Sequence, residues 1–371
     1  MRLAFVLFSW FPHGGLQQDV IKIAAACRTH AQVTVFCMQW DGPVPDGVIV
    51  NVVPVRGLTR TGKRAAFVRH IQQQVRPAFD VVVGFNRMPG LDYYFAADSC
   101  FAHKAWAERG WWYRLAPRTR QYLQWEEAVF GKQGNTIALL LSPQQREQYT
   151  AFYGTSSARL IDLPPGISRT FMPGADASRI RQRLRNELGV REDALLVLQV
   201  GSGFRVKGVD RSLRALASLP PAMAARVHYV QIGKGEAKPW QELARALGVQ
   251  NVHFLGGRDD VKDFMQAADL LLHPSLQESA GMVLLEAIVS GLPVLTTAGC
   301  GYAFHVEQAE AGQVCDYPFQ QTTLNRLLRE MLESEQALSA WRAAGIRYGQ
   351  TQQLYDMPEA VASLVCARSP A

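Results

Sequence analysis

Leu271-Leu-His-Pro-Ser-Leu-Gln-Glu278-Ser-Ala-Gly-Met-Val-Leu-Leu-Glu286-Ala-Ile-Val-Ser-Gly-Leu-Pro-Val294 decides the fold. Leu270–Leu272 is a short apolar run that stops at His273-Pro274, because proline cannot donate to a strand ladder. Met282–Ile288 consists of helix-compatible residues closed by Ser290-Gly291-Leu292-Pro293, a helix-stop pattern. The stretch therefore predicts buried strand, polar turn, helix, strand. Glu278 precedes the helix and Glu286 lies within it. Between them the amides of Gly281, Met282 and Val283 point out of a helix N-terminus, a natural seat for phosphate. An anion seat flanked by two hydrogen-bond acceptors suits a nucleotide sugar. The plainer alternative is two solvated surface acids, the usual state of carboxylates.

Strand and helix patterns alternate on both sides of this stretch. Before the stiff segment Pro164-Pro165-Gly166, strands are predicted at Leu3–Ser9, Val33–Met38, Val48–Val55, Asp80–Phe85, Tyr94–Cys100 and Thr136–Ser142. Beyond it they are predicted at Leu195–Gly201, Arg226–Gly233, Val252–Leu255, Pro293–Thr297 and Gln313–Asp316. Such alternation calls for parallel sheets wrapped by helices, with ligands at the carboxyl ends of the strands. The tail from Gln320 reads as helical, with breaks near Gly345 and Pro358. Three segments are expected: 1–164, 165–348 and a terminal 349–371.

A chain of 371 residues has material for two cores. No run of ~18 apolar residues is present, so a bilayer-spanning helix is not expected. The apolar start, Met1–Phe8, reads as a first strand and not a signal peptide. Six scattered cysteines without a C-x-x-C pair argue for reduced thiols and against a zinc site. His13, His70, His103 and His305 form no ligand-like pattern, and no metal is expected. The net charge of +7 lies wholly in residues 1–165, which carry 18 Lys/Arg against 11 Asp/Glu. An anionic partner should meet that half.

Two further loops bear on chemistry. Gly14-Gly15, between strand one and helix one, allows a ligand to approach the backbone. It is neither G-x-G-x-x-G nor a P-loop, which disfavours a dinucleotide enzyme. Asp19, one turn into the helix, falls on what should be the apolar face. Gln199-Val-Gly-Ser-Gly-Phe-Arg205-Val-Lys207-Gly-Val-Asp-Arg-Ser212 places two cations in a glycine-rich loop at a strand end. Arg offers a fork and Lys a point charge to a diphosphate leaving group. Phe101–Phe130 interleaves Lys104, Arg109, Arg114, Arg118 and Arg120 with Trp106, Trp111, Trp112, Tyr113, Tyr122 and Trp125. That composition fits an anionic membrane surface, an aromatic core helix with a charged face, or nucleic acid.

The Glu278-x7-Glu286 pair, between a strand ending in His-Pro-Ser and a helix ending in Gly-Leu-Pro-Val, resembles the signature of family 4 retaining glycosyltransferases. Those enzymes have the GT-B fold: two doubly wound Rossmann-like domains with a cleft between them. Gly14-Gly-Leu-Gln-Gln-Asp19, Val83-Gly-Phe-Asn-Arg-Met-Pro-Gly-Leu-Asp92, Phe95-Ala-Ala-Asp98, Leu163-Pro-Pro-Gly-Ile167, Lys207-Gly-Val-Asp-Arg-Ser212 and Pro293-Val-Leu-Thr-Thr297 narrow the resemblance. Together they are similar to the lipopolysaccharide core glucosyltransferase I group.

This resemblance implies transfer of a hexose from a UDP-hexose or UDP-N-acetylhexosamine to an inner-core heptose of lipopolysaccharide. It also implies retention of configuration, no bound cofactor or metal, and peripheral attachment to the cytoplasmic face of the inner membrane. Another lipid-linked or polysaccharide acceptor is the alternative. By the same resemblance Glu278 binds the donor hexose and Glu286 the ribose. Ala280 and the amides of Gly281, Met282 and Val283 hold phosphate or sugar, with Arg205 and Lys207 on the diphosphate. Gly14, Gly15 and Asp19 approach the donor from the first domain. Catalysis is expected from Asp98, Glu278 and Lys207, with Asp98 steering the acceptor hydroxyl or capping a helix that starts after it. Asn86 and Asp92 are expected on the acceptor side. The resemblance also favours the membrane reading for Trp106, Arg109, Trp111, Trp112, Arg114, Arg118 and Arg120, and no nucleic-acid partner.

Overall fold

A computed structural model describes residues 1–12 and 14–367, so His13 and the end of the expected terminal segment, Arg368–Ala371, lie outside the described residues. The chain divides into two compact units, Met1–Gly166 with the residues from Tyr355 onward, and Ile167–Leu354.

The first unit contains β1 Arg2–Val6, β2 Ser9–Trp10, β3 Gln32–Cys37, β4 Gln39–Trp40, β5 Ile49–Val52, β6 Val81–Gly84, β7 Tyr93–Phe95, β8 Ile137–Leu140 and β9 Leu160–Asp162. Seven of these form one sheet in the order β5-β3-β1-β6-β7-β8-β9, with every pair parallel. Strand order reverses between β1 and β6, the place where doubly wound sheets open a ligand crevice. Leu3 to Val6 are wholly buried, as expected for a strand covered on both faces. Helix Gly15–Cys27 buries Val20, Ile23, Ala24 and Cys27 along one stripe, and Asp19 goes in with them.

The second unit contains β10 Leu195–Val200, β11 Val227–Ile232, β12 Val252–Phe254, β13 Leu270–His273, β14 Val294–Thr297 and β15 Gly312–Cys315. Their order is β12-β11-β10-β13-β14-β15, again parallel throughout. Here the reversal falls between β10 and β13. The loops leaving these two strands are the glycine-rich Gly201–Gly208 loop and the Pro274–Gly281 turn.

Two expectations for the tail change. Helix Glu335–Thr351 runs straight through Gly345, and the breaks lie at Ser334 and after Thr351. Gly345 is there for contact, since a Cβ would sit 2.5 Å from the Ile288 carbonyl oxygen. Pro358 opens the last helix, Met357–Cys366, near the position where its missing N–H costs nothing. The divide therefore falls after Leu354 and not at Gly349, which is buried in the preceding helix. Within the first unit the last helix packs on helix Gly15–Cys27, and the Tyr93 hydroxyl donates to the Leu364 carbonyl at 3.0 Å.

Candidate active site

The Gly201–Gly208 loop is clamped from below before it presents any charge. Gln199 Nε2 donates to the Lys207 carbonyl at 2.7 Å, and Gln199 Oε1 accepts from Ser212 and Tyr229 at 2.7 and 2.6 Å. From the neighbouring turn, Ser275 Oγ and the Leu276 amide both donate to the Val206 carbonyl, at 3.0 and 2.9 Å. Gly208 is left-handed (φ +71°), and a Cβ there would collide with the Pro274 carbonyl. The two loops are therefore in backbone contact, which brings Lys207 and Glu278 together from 71 residues apart.

Lys207 Nζ pairs with Glu278 Oε1, and His273 Nε2 lies 2.8 Å from Glu278 Oε2. Cys300 Sγ donates to Glu278 Oε2 at 3.7 Å. Burial works against the Glu278 charge, but His273 and then Lys207 outweigh it and hold the carboxyl far below its usual range. The backbone of Glu278 is also pinned, its amide donating to Gly299 O and its carbonyl accepting from the Gly301 amide at 2.9 and 3.0 Å. Gly281 caps helix Met282–Val289 in the left-handed region (φ +87°). The first amides of that helix thus lie three to five residues beyond the fixed carboxylate. Glu286 is half-buried within the helix, and Arg205 is exposed on the glycine loop.

His273 and Cys300 escaped the sequence reading. His273 was legible only as a strand-ending residue before proline, and Cys300 reaches the site through tertiary pairing. Their metal-capable atoms and a Glu278 oxygen lie within 4.8 Å of one another. The Lys207 ammonium shares that carboxylate, so a cation would have to displace a charge already seated. The arrangement fits an ion-paired hydrogen-bond network better than a metal centre.

In the first unit, Gly14 caps helix Gly15–Cys27 and packs against the Gln17 side chain, while Gly15 has open space where a Cβ would go. Burial raises the Asp19 carboxyl to about 7, with Lys22 opposing the shift. Asp98 is half-exposed, 3.6 Å from Arg87. It is not a helix cap, because the helix that follows begins at Phe101 and is capped by Cys100 Sγ.

The acceptor-side expectation fails for Asp92. That residue precedes β7 at the amino end of the strands, away from the ligand-binding edge, and is buried. Its carboxylate accepts from the Val82 amide at 2.9 Å and from Arg76 at 3.0 Å, which makes it a brace between β6 and β7. Asn86 does sit at a carboxyl end, where its Oδ1 accepts from the Phe8 amide at 2.8 Å and ties β1 to β6.

The basic–aromatic segment splits in two. Trp125, Val129 and Phe130 are buried core, which satisfies one of the three readings for part of it. Trp106, Trp111, Trp112 and Leu115 are exposed, Trp111 by 68% and Trp112 by 67%. Arg114 stacks over Trp106, Arg109 over Tyr113 and Arg118 over Tyr122, at 5.2, 5.8 and 5.7 Å, so cations and rings are interleaved in space as in sequence, and Arg118 and Arg120 are both exposed. Among the described residues no helix is long and apolar enough to cross a membrane.

Comparison with known proteins agrees with this geometry. The family described as "Glycosyl transferases group 1" matches residues 180–348. The chain is 43% identical over 370 residues, 98% of each sequence, to the lipopolysaccharide glucosyltransferase WaaG of Escherichia coli (strain K12). The crystal structure of WaaG, described as a glycosyltransferase involved in lipopolysaccharide biosynthesis, superimposes with a TM-score of 0.93 at 42% identity, covering 98% of this chain and 99% of that one. HepE from Anabaena, solved with UDP and glucose, shares the fold at a TM-score of 0.75 and 20% identity, over 99% of this chain and 100% of that one. With its paired parallel sheets and its strand-end ion pair, this chain belongs to the WaaG family of group 1 glycosyltransferases and has the GT-B fold.

Proposed function

We propose that this chain transfers a hexose, glucose or else galactose or an N-acetylhexosamine, from a UDP-sugar to an inner-core heptose of lipopolysaccharide, with retention of configuration. The observation that carries the reading is the Lys207–Glu278–His273 network at the carboxyl ends of β10 and β13, beside a helix N-terminus. A carboxylate held ionised accepts hydrogen bonds from donor hexose hydroxyls, and the lysine meets charge that develops on the leaving diphosphate. Ala280 and the amides of Gly281, Met282 and Val283 cradle phosphate, Arg205 adds charge at the loop rim, and Glu286 accepts from the ribose. Gly14, Gly15 and Asp19 serve the donor from the first unit.

The C1–O bond to the diphosphate breaks and a C1–O bond to the heptose forms on the same face. The heptose proton passes to the departing phosphate oxygen, and Asp98 orients the attacking hydroxyl. These residues do this work without a cofactor. Trp106, Trp111, Trp112, Arg109, Arg114, Arg118 and Arg120 rest on the anionic cytoplasmic surface of the inner membrane, where the phosphorylated glycolipid acceptor resides.

The test is transfer by purified protein, with UDP-glucose, UDP-galactose and UDP-N-acetylglucosamine as donors and heptose-terminated lipopolysaccharide as acceptor. Mass addition of one hexose, alpha-linked as in the donor, supports the reading. Turnover only on a different lipid-linked or polysaccharide acceptor overturns the acceptor assignment.

A further inference from the structure

Glu126 sits in the basic–aromatic segment Phe101–Phe130. In the fold it is wholly buried, and it forms an ion pair across 39 residues with Arg87, which is buried to 5% exposure. Every Glu126 oxygen is in use. Oε1 also accepts from the Phe101 amide at 2.8 Å, and Oε2 accepts from the Ala102 amide at 2.7 Å and the Tyr153 hydroxyl at 2.8 Å. Burial works against the Arg87 charge, but Glu126 more than compensates and the guanidinium stays ionised.

The pair leaves one guanidinium edge unspent. Arg87 Nη2 donates to the Ser99 carbonyl at 2.8 Å and lies 3.6 Å from Asp98 Oδ2. The main chain of Asp98 is held separately, its carbonyl accepting from Gln145 Nε2 at 3.3 Å and from the Tyr149 hydroxyl at 3.4 Å. A buried ion pair is on average no more stabilising than an apolar replacement of the same shape, so stability alone gives little reason for it. The unspent edge supplies a reason, since a half-exposed carboxylate would otherwise sample several rotamers.

We infer that Arg87 is a positioning residue, anchored by buried Glu126, that fixes the Asp98 carboxylate in one orientation for the acceptor hydroxyl. The inference rests on the role given to Asp98 in the proposed function. Glu126 lies on helix Pro117–Phe130, which also carries exposed Arg118 and Arg120. The same linkage therefore ties Asp98 to the helix bearing the basic surface.

A double-mutant cycle tests it. Arg87→Lys keeps the charge that Glu126 requires but has no second arm for Asp98 and Ser99. The expected result is a fall in kcat for transfer of about 10-fold or more, with the donor KM unchanged within about 2-fold. Asp98→Asn should fall similarly, and Arg87→Lys added to Asp98→Asn should cost no more than about 2-fold further. Multiplying losses, or a fully active Arg87→Lys beside an impaired Asp98→Asn, overturn the positioning role alone. A fully active Asp98→Asn overturns the role of Asp98 itself. Should Arg87→Lys not fold, Glu126→Gln enters the same cycle, because it removes the charge that seats Arg87 while keeping an acceptor for the Phe101 amide. Its additivity with Asp98→Asn is then the contradicting result.

Discussion

Lys207 and Glu278 form an ion pair although 71 residues separate them, because the loops after β10 and β13 meet where the strand order reverses. His273 supports the same carboxylate from the end of β13. In the proposed reaction the donor half depends on this pairing.

Removing either partner should cost far more activity than removing a surface charge. Lys207→Met and Glu278→Gln are each expected to lower kcat/KM for transfer by about 100-fold or more, the scale of losing one preorganised charge at a reacting group. Steady-state kinetics with varied UDP-sugar checks this. Glu278 is held below its ordinary value of 4.5, so its contribution to stability is complete above that pH and is lost only as strong acid protonates it. Mild acidification to pH 5 should leave its part of the stability intact.

Asp19 behaves in the opposite sense. Its carboxyl is raised from 3.8 to about 7, so the folded state holds a proton that the unfolded chain releases. Stability should be full below pH 4 as far as this group is concerned, and fall as pH rises toward 7. The loss is on the order of 2–4 kcal/mol. Asp19→Asn should flatten that part of the profile and raise stability at pH 8. Urea melts at pH 5 and pH 8 measure the difference.

Two glycines separate packing from propensity. Gly345 lies inside a helix, where alanine would ordinarily gain ~1 kcal/mol, yet a Cβ 2.5 Å from Ile288 O should make Gly345→Ala destabilising by about 2 kcal/mol. Gly208→Ala meets both a left-handed φ and the Pro274 carbonyl. It should cost about 2–4 kcal/mol and also reduce turnover, because the loop carrying Lys207 must move. Thermal melts of the two variants beside kinetics distinguish these outcomes.

The exposed tryptophans offer a test that leaves the fold alone. Trp111→Ser with Trp112→Ser removes no buried packing, so Tm should change by less than about 2 °C. Binding to vesicles containing anionic lipid should weaken by about 10-fold or more, and wild-type binding should weaken as salt rises. Co-sedimentation with vesicles of zwitterionic lipid provides the reference. Undiminished binding by the double variant would remove this surface from the account.

Much of this was legible because the signals are local. Alternating apolar runs gave six of the seven strands of the first sheet and all six of the second, missing only the three-residue edge strand β9, and Gly208, Gly281 and Pro274 marked the loops around Lys207 and Glu278. What sequence could not report was pairing over long separations. Glu126 and Arg87 look like surface charges until a fold buries them together, and Cys300 comes to Glu278 only through a bridge between two loops. Asp92 was misplaced for a related reason. A motif reveals that a residue borders a strand, but which end faces the ligand edge depends on where the strand starts, and β7 begins one residue later. Gly345 looked like a helix break because the Ile288 carbonyl that requires it lies on another helix.

The most direct measurement is a crystal structure with UDP bound. The diphosphate should lie against Lys207 and the amides at the start of helix Met282–Val289, with Glu286 on the ribose and Glu278 facing the space for the hexose. UDP bound away from Lys207, with the Lys207–Glu278 pair facing only solvent, would contradict the account at its centre.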